Sequence, residues 1–372
     1  MFILHNRRIF HFLLCTYFRA FHKYIPQNYM QSFDIIVIGA GPGGLACART
    51  LAEHGREVLV LERNSMIGPK VCGGGITWQG LIRLVPEELI EKSFPDQYIR
   101  SNWQNIRISA PAPIISTIRR ETLGRWMADR ALDAGAAIMT GMHVREITDR
   151  YVEVADSQQR IVRFAYQHLV GADGSHSQVR KHLRLVTRRT GIGIRYHVPG
   201  QFARMEWHLD CTLFANGYSW IFPFREMASV GVYAPDRKMS PKDLLKNFHK
   251  WAQKMNLDLS GLRPRSGLVN YDFQGWRFNN TFLVGDAAGL ASGLTGEGMY
   301  PAIVSGEEVA NAIINPRHIP HDLNRLIRKH EKHRQIIALS GKNIFFCRTI
   351  MELLVLALRT GLVPPSSLEM AG

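Results

Sequence analysis

Residues 39–44 read Gly-Ala-Gly-Pro-Gly-Gly, a G-x-G-x-x-G pattern between an apolar run and an Ala- and Leu-rich stretch. The run at 34–39 lacks polar alternation, which predicts a parallel β-strand buried on both faces. The stretch at 42–54 predicts a helix that Gly55 terminates, and residues 57–62 predict the next strand. This order of strand, helix and strand indicates the opening of a doubly wound α/β domain.

The glycines of this pattern have steric reasons that together favour a dinucleotide. Gly39 permits the tight turn, Gly41 lets the backbone approach a pyrophosphate, and Gly44 lets the helix pack closely on the strand. The helix N-terminus then attracts phosphate oxygens. Glu62 ends the second strand, where its carboxylate can accept hydrogen bonds from a ribose diol. We therefore predict a dinucleotide site, not merely a glycine-rich turn.

The chain of 372 residues carries a net charge of +15, and this charge is concentrated at the two ends. Residues 1–33 contribute +4 and residues 315–372 contribute +5, which leaves +6 for the middle. Apolar residues make up 46%, so disordered and collagen-like classes are excluded. Basic ends suggest an anionic surface such as lipid headgroups or nucleic acid, and the alternative of a generally basic protein stays open.

Five cysteines, without a C-x-x-C pair, argue against a disulfide framework and a metal site and favour a reducing compartment. The longest candidate for a membrane span, residues 350–358, is nine residues long and contains Glu352, so it is too short to cross a bilayer. Residues 1–29 lack a small-residue cleavage site, so a signal peptide is not expected. They are either an amphipathic N-terminal arm or an extension upstream of a start at Met30, and the sequence leaves both readings open.

The whole pattern predicts an α/β protein with a Rossmann-like domain, a β-rich insertion and a helical C-terminal region. The predicted divisions are the arm at 1–29, the first part of the dinucleotide domain at 30–180, the β-rich substrate domain at 181–275, the last part of the dinucleotide domain at 276–315, and the helical region at 316–372. Further elements are predicted as a helix at 121–134, strands at 143–154, 161–171 and 281–285, and helices at 241–255 and 296–314.

Two later segments resemble the para-hydroxybenzoate-hydroxylase-like FAD superfamily. They are Leu169–Arg180, which contains Asp173, and Phe282–Ala288, which contains Asp286. The resemblance implies that Asp286 contacts the ribityl and ribose region of FAD, and that a glycine-rich turn at 295–299 lies under the pyrophosphate and flavin. Taken singly, each Asp would more often cap a loop. Because the three segments occur in the family's order, FAD is the predicted dinucleotide.

Arg120 and Leu123 fit a further superfamily pattern, in which an Arg stands three positions before an apolar residue that an Asp follows. An Arg near the flavin can offset negative charge on the reduced ring. Gly124 replaces that Asp, so the match is incomplete at this position.

Three segments resemble the geranylgeranyl reductase family more closely. Residues 70–76, Lys-Val-Cys-Gly-Gly-Gly-Ile, resemble its Cys- and Gly-rich segment, and residues 217–223 resemble its Y-x-W-x-F-P signature. Residues 294–306 are similar to its glycine-rich helix start. The predicted cofactor-binding residues are then Gly39, Gly41, Gly44, Glu62, Arg63, Cys72, Gly73, Gly75, Arg120, Val144, Asp173, Asp286, Gly296, Gly298 and Met299.

This resemblance implies an FAD-dependent reductase that saturates double bonds in the isoprenoid chain of a lipid, a chlorophyll-type pigment or a quinone. Tyr218, Trp220 and Phe222 alternate along a predicted strand and therefore project to one face. Three aromatic side chains in a row form an apolar wall suited to a prenyl substrate. The alternative, that they are simply the core face of a sheet, stays open.

Cys72 is the candidate catalytic residue. Reduction of an alkene requires a hydride and a proton, and a thiol with the usual pKa of about 8.5 is protonated at neutral pH. The competing interpretation is that this turn needs small residues so that the backbone reaches the flavin.

Only one G-x-G-x-x-G is present, so the expected reductant is a transiently docked NAD(P)H or a small electron carrier. Two rival functions stay open. A monooxygenase or halogenase shares the fold, although halogenases typically read W-x-W-x-I-P where Tyr218 and Phe222 stand here. A prenyl-binding escort protein would need only the apolar groove, whereas the intact glycine, Asp173 and Asp286 segments favour bound FAD.

The C-terminal region combines basic residues with the apolar run 344–358, which suits an interfacial helix on anionic lipid. We expect peripheral contact with the inner face of a membrane, a cytoplasmic location and a monomer. Nucleic-acid binding is not predicted, because the basic residues at 317–334 are diluted by Asp322 and Glu331 and no recognised module is present.

Overall fold

The computed structural model describes residues 30–77, 80, 85–235 and 239–371. The predicted N-terminal arm at 1–29 lies outside the described residues. The described strands are β1 (Gln31–Ile38), β2 (Val58–Glu62), β3 (Gly75–Thr77), β4 (Ile90–Phe94), β5 (Asp96–Arg100), β6 (Asn105–Ser109), β7 (Ile115–Ile118), β8 (Ala137–Thr140), β9 (His143–Ile147), β10 (Tyr151–Ala155), β11 (Ile161–Gly171), β12 (Thr190–Pro199), β13 (Glu206–His208), β14 (Tyr218–Pro223), β15 (Met227–Ala234), β16 (Arg265–Asn270), β17 (Arg277–Phe278) and β18 (Thr281–Leu283).

The described α-helices occur between and after these strands. They are α1 (Pro42–Glu53), α2 (Arg120–Asp133), α3 (Gln178–His182), α4 (Cys211–Phe214), α5 (Pro241–Lys254), α6 (Gly285–Ala288), α7 (Met299–Ile314), α8 (His321–Ser340) and α9 (Ile344–Arg359). None of the helices in the described ranges is both long and apolar enough to cross a membrane.

The predicted doubly wound domain is built on an eight-stranded sheet. Its main path runs β17-β18-β11-β1-β2-β8, and β1 pairs in parallel with both β2 and β11. Along β1, Ile35 and Val37 pack into one hydrophobic cluster with α1 and α7, whereas Ile36 and Ile38 pack into a second cluster on the other face. Burial of both faces explains why this strand reads as a continuous apolar run.

One predicted strand is wrong in detail. The stretch 143–154 forms two strands, β9 and β10, that pair as an antiparallel hairpin. The Thr148 side chain makes the turn, because its Oγ1 accepts hydrogen bonds from the backbone amides of Arg150 and Tyr151 at 3.3 and 3.1 Å. Such a side-chain turn interrupts the alternation that the two strands share.

A seven-stranded sheet forms the second layer, in the order β16-β12-β15-β14-β13-β5-β6. Most of it comes from the predicted β-rich region, and β14 and β15 pair antiparallel along the signature strand. The edge strands β5 and β6, however, come from the stretch 30–180, which was predicted to belong to the dinucleotide domain. They join this sheet because β5 pairs in parallel with β13. The chain therefore crosses between the layers before α2.

The C-terminal helices close one side of the seven-stranded sheet. Val355 and Leu358 of α9 share a hydrophobic cluster with Ile99 and Ile106 of β5 and β6. The predicted helical character of the last fifty residues is thus confirmed for the described part, and α9 lies against the β-rich layer.

Candidate functional site

A cavity of about 800 Å³ is lined by residues of both large sheets. On one side lie the carboxyl ends of β1, β2 and β11, the edge at which α/β sheets bind ligands. On the other side lies β14. The predicted residues that line it are Gly39, Gly41, Glu62, Arg63, Cys72, Gly73, Gly75, Arg120, Val144, Asp173, Tyr218, Trp220, Phe222, Asp286, Gly296, Gly298 and Met299.

Gly44 is the one predicted residue that does not line the cavity, and its geometry matches the packing role predicted for it. A Cβ atom at Gly44 would lie 2.0 Å from the carbonyl oxygen of Gly39, so a side chain there would force α1 away from the turn. Gly39 itself has φ +104°, and a Cβ there would meet the Ala172 carbonyl oxygen at 2.5 Å. Both positions therefore require glycine.

Gly41 differs, because an added Cβ would meet only the Ala172 oxygen at 3.9 Å and would otherwise project into open space. It is also the N-cap of α1, without a side-chain cap and without an acidic residue in the first turn. The amide groups at this helix start are thus left for an external acceptor. A helix N-terminus with a glycine approach of this kind is a phosphate-binding arrangement.

The Glu62 carboxylate is held in place at the end of β2. Its Oε2 accepts a hydrogen bond from the Ala40 amide at 2.9 Å, and its Oε1 accepts hydrogen bonds from the amide and side chain of Asn64 at 2.9 and 2.7 Å. The two hydrogen bonds from Asn64 occupy both lone pairs of Oε1, whereas Oε2 keeps a second lone pair. The geometry suits a carboxylate that receives ribose hydroxyls.

Asp286 lies across the cavity at the start of α6. Its Oδ2 accepts a hydrogen bond from the Ser175 hydroxyl at 3.0 Å and forms an ion pair with Lys70 Nζ at 3.0 Å. A Cβ at Gly298 would lie 3.2 Å from its Oδ1, so the glycine turn leaves room for this carboxylate. The Lys70–Asp286 pair was not predicted, because it joins loops 216 residues apart.

Asp173 caps a helix. Its Oδ2 accepts hydrogen bonds from the Gln178 and Val179 amides at 2.5 and 3.3 Å, which is the capping role that a single Asp most often has. Its Oδ1 is buried and has no partner in the described structure. Burial raises the pKa of this carboxyl above its ordinary value, although the Ser177 hydroxyl and the backbone amides lower it in part.

Arg120 begins α2 and is buried, and its Nη1 also lacks a partner among the described residues. A buried N–H group without an acceptor is costly unless a ligand supplies one. Arg120 Nη1 and Asp173 Oδ1 are thus a donor and an acceptor that line one cavity without partners. Together with the uncapped α1 and the open position beside Gly41, they fit a bound FAD.

Gly124 stands where the superfamily pattern has Asp, and this difference has a steric cause. A Cβ there would lie 2.5 Å from the Cα of Gly68, whose own φ is +109° and whose Cβ would lie 2.8 Å from the Cα of Glu121. The loop before Lys70 therefore crosses α2 in direct backbone contact. Asp at 124 would separate the two segments.

Gly124→Asp is accordingly expected to harm the protein, although it restores the superfamily pattern. Overpacking at a backbone contact should lower the free energy of unfolding by about 1–3 kcal/mol. Urea denaturation measures this, with Arg125→Asp on the exposed side of the same helix as the control. A Gly124→Asp protein as stable as the control would contradict the steric explanation.

The Cys- and Gly-rich loop packs directly on the aromatic row. A Cβ at Gly73 or at Gly75 would lie 3.2 or 3.1 Å from the Phe222 ring, so small residues let the loop approach it. Cys72, directly before Gly73, is partly exposed, and its Sγ accepts a hydrogen bond from the Gly74 amide at 3.4 Å.

The aromatic row is both a cavity wall and part of a core, so the two interpretations left open do not exclude each other. Ring centroids of Tyr218 and Trp220 lie 6.0 Å apart, and those of Trp220 and Phe222 lie 5.7 Å apart. All three side chains are buried while lining the cavity. Trp207, which was not predicted, stands 4.7 Å from Phe222 and extends the wall.

The far end of the cavity is apolar and comes from the C-terminal region. Met351, Leu354 and Leu358 of α9 line it, with Leu368 beyond the helix. These residues could not be predicted as site residues, because the sequence of an amphipathic helix does not reveal which surface the helix covers. The cavity therefore runs from the glycine turn, past the aromatic row, to α9.

Comparison with known proteins agrees with this geometry. The family described as FAD binding domain matches residues 32–198. An uncharacterized protein of Methanosarcina barkeri is 30% identical over 296 residues, which are 76% of this chain and 75% of that protein. Digeranylgeranylglycerophospholipid reductase 2 of Methanopyrus kandleri is 28% identical over 320 residues, covering 76% of this chain and 78% of that enzyme.

The fold has a solved counterpart. A geranylgeranyl bacteriochlorophyll reductase-like protein from Thermoplasma acidophilum superposes with a TM-score of 0.72 at 20% identity, covering 89% of this chain and 96% of that one. The mixed α/β architecture and the predicted FAD-binding fold are thus confirmed. The chain belongs to the geranylgeranyl reductase family of FAD-dependent oxidoreductases.

Proposed function

We propose that this enzyme saturates carbon–carbon double bonds in the isoprenoid chain of a lipid, a chlorophyll-type pigment or a quinone. One observation carries the proposal: the residues that fit FAD and the row Tyr218, Trp220 and Phe222 line a single cavity. The reductase name of the Methanopyrus relative supports it. An elongated apolar cavity beside the cofactor suits a prenyl chain better than a small polar substrate.

The lining of the cavity indicates which residues would hold the cofactor and which would hold the substrate. Reduced FAD, when bound, supplies a hydride to one carbon of the double bond. Gly39, Gly41 and Glu62 would hold its dinucleotide part, and Arg120 with Asp286 would lie toward its centre. The aromatic row would align the prenyl chain and exclude water.

Lipid composition of a deletion strain tests the substrate class. Loss of the enzyme should leave prenyl chains lighter by multiples of two hydrogens in a lipid, pigment or quinone pool, as mass spectrometry would show. If no prenylated pool changes in this way, the proposed substrate class is wrong. Restoration of the missing hydrogens by the reintroduced gene is the control.

The Cys72 thiol stays our sequence-based prediction for the proton donor. If it donates, Cys72→Ala should retain FAD and lose most of its turnover, while Cys72→Ser should keep part of it because a hydroxyl can still donate weakly. Turnover with prenyl substrate and the flavin content of both variants measure this. Full turnover in both, with FAD bound, would remove Cys72 from the chemistry and leave its loop with the packing role described above.

We propose a transiently docked NAD(P)H or a small electron carrier as the source of electrons. The single G-x-G-x-x-G pattern supports this, because it leaves one dinucleotide site in the sequence. Anaerobic stopped-flow absorbance with NADPH and NADH would reveal whether either bleaches the bound flavin. Bleaching by neither would favour the carrier.

We also propose a peripheral position on the inner face of a membrane, with α9 as the contact. Phe345, Leu353 and Leu356 are 72%, 58% and 44% exposed and lie along one side of this helix. Leu362, just beyond it, is 81% exposed. Neighbouring apolar side chains so exposed are typical of an interaction surface.

The opposite side of the same helix supports a lipid as the partner. Met351 and Leu358 line the cavity, so α9 separates the exposed apolar face from the proposed prenyl site. Lys342 and Arg359 are exposed at the two ends of the helix, whereas its one acid, Glu352, is buried and accepts a hydrogen bond from Ser101 Oγ at 2.8 Å. The exposed charge of this helix is therefore basic, which favours an anionic lipid surface.

A further inference from the structure

The turn at 292–298 brings one carboxyl group, that of Glu297, to the cavity wall, and none of the roles assigned above to the FAD-binding residues uses this carboxyl. The backbone of the turn is fixed, since the Ser292 amide donates to the Glu297 carbonyl at 2.8 Å and the Gly296 amide donates to the Ser292 carbonyl at 2.9 Å. The Tyr218 hydroxyl donates to the carbonyl of Thr295. The turn that carries Glu297 is thus bound to the first residue of the aromatic row.

The Glu297 carboxyl has one oxygen engaged and one free. Its Oε2 accepts a hydrogen bond from the Met370 amide at 2.8 Å. Its Oε1 is buried, and the described structure offers it no partner. A buried carboxyl oxygen without a donor favours the neutral acid, and the residue that carries this proton lines the cavity.

The titratable groups around Glu297 come from two elements, the C-terminal segment and α8. Glu369, in the C-terminal segment, raises the pKa of Glu297 by like charge, and Lys329 of α8 lowers it. His333 of α8 contacts the turn at Ser292 and stays neutral near pH 7, because burial lowers its pKa to about 4. Burial of Glu297 itself outweighs the rest and raises its pKa to about 7.

Two other proton-bearing groups share this part of the cavity. Burial first, then the charges of Cys72 and Glu297, raise the pKa of the Tyr218 phenol, and all three residues line the cavity. The phenol proton is already engaged with the Thr295 carbonyl. Cys72 and Glu297 are therefore the two rival donors, and Glu297 alone has a buried oxygen without a partner.

We propose that Glu297 delivers the proton to the second carbon of the double bond, a role that rests on the proposed reductase function. In this step the π bond of the alkene breaks and two C–H bonds form. The hydride brings its own electron pair to one carbon, and the π electrons of the alkene bond the proton from Glu297 Oε1 to the other. The carboxylate left behind regains a proton from water.

Glu297→Gln tests this, because the amide keeps the shape and can still accept from Met370 but is not an acid. Single turnover is followed anaerobically with dithionite-reduced enzyme and geranylgeranyl diphosphate as the probe. Wild-type reduction of the chain should fall as pH rises above about 7, where Glu297 loses its proton. The variant should be slower by about 100-fold or more and should lose this fall.

Stability gives a readout that needs neither substrate nor turnover. The pKa of Glu297 is raised from 4.5 in the unfolded chain to about 7 when folded, so the folded state keeps a proton that the unfolded state has released. The contribution of Glu297 to stability therefore declines as pH rises from about 4.5 to about 7. The difference in Tm between Glu297→Gln and wild type should grow in favour of the variant over this range.

The matched control is Glu331→Gln, an exposed carboxyl of α8 that pairs with Arg334 and should leave rate, pH profile and FAD content unchanged. Wild-type rate and pH profile in Glu297→Gln, or a Tm difference independent of pH, would overturn the proposal. If Glu297→Gln cannot hold FAD, Glu297→Asp provides the test, because aspartate is still an acid. This variant should be slower than wild type, and its rate should still fall above neutral pH. Loss of that fall would also overturn the proposal. A wild-type enzyme that saturates no prenyl bond contradicts the proposed function itself.

Discussion

Gly41→Val is expected to yield a folded protein that has lost its FAD. A side chain at this position meets almost no protein atom, the nearest being the Ala172 oxygen at 3.9 Å from the Cβ, so the fold should tolerate it. The same side chain would stand before the uncapped start of α1, where the pyrophosphate must approach. We expect FAD affinity to fall by at least 100-fold, or about 2.8 kcal/mol.

The flavin absorbance of the purified protein and its thermal unfolding measure the two halves of this prediction. Gly44→Ala serves as the contrast: its Cβ at 2.0 Å from the Gly39 carbonyl oxygen would disrupt the turn itself and lower stability as well as FAD content. Gly261→Asn, at an exposed glycine with nothing within 4 Å, should change neither. Stoichiometric, tightly bound FAD in Gly41→Val would contradict the proposed cradle.

Replacing Phe345, Leu353 and Leu356 together by serine is expected to release the enzyme from membranes. If each side chain contributes about 1 kcal/mol by partial burial in lipid, the triple variant should bind vesicles about 100-fold more weakly. Flotation with vesicles containing phosphatidylglycerol measures binding. FAD content should stay unchanged, because these side chains face away from the cavity.

The matched control changes equally exposed apolar residues elsewhere. Ile161, Val186 and Ile319 are 54%, 66% and 59% exposed and lie outside α9, so their replacement by serine should leave vesicle binding intact. Substitution is a sharper test than removal of residues 340–372, because removal would uncover Ile99 and Ile106 beneath α9. If both triple variants bind vesicles equally well, the exposed face of α9 is not the membrane contact. The basic ends of the chain are then a general property of a basic protein.

The nucleotide half of the site could be predicted because its determinants are local in sequence. Gly39, Gly41 and Glu62 belong to one strand–turn–helix–strand unit, whose spacing fixes where each stands once the strands pair in parallel. Asp286 comes soon after the short buried strand β18, so a local pattern also fixes its place at the carboxyl end of the sheet. Local pattern and final position agree wherever a residue's neighbours in space are also its neighbours in sequence.

The apolar half of the cavity, where we propose that the prenyl chain binds, could be predicted only in part, because it depends on contacts between distant segments. The aromatic row was visible as an alternation, but Trp207 joins it only through the pairing of β13 with β14, and Met351 only through the packing of α9. The placement of β5 in the second sheet rests on its parallel pairing with β13, more than 100 residues away. Likewise the reason for a glycine at position 124 becomes clear only from the structure, in which the backbone of Gly68 packs against it.

A single anaerobic turnover tests the central claim most directly. Dithionite-reduced enzyme is mixed with geranylgeranyl diphosphate in the absence of oxygen, and flavin absorbance and product mass are recorded together. The account predicts that each flavin reoxidised adds two hydrogens to the prenyl chain. Flavin that stays reduced until oxygen is admitted, with a product that has gained an oxygen atom or a halogen, would contradict it and assign the fold to a monooxygenase or halogenase. A colourless protein that takes up no FAD would instead identify a prenyl-binding escort.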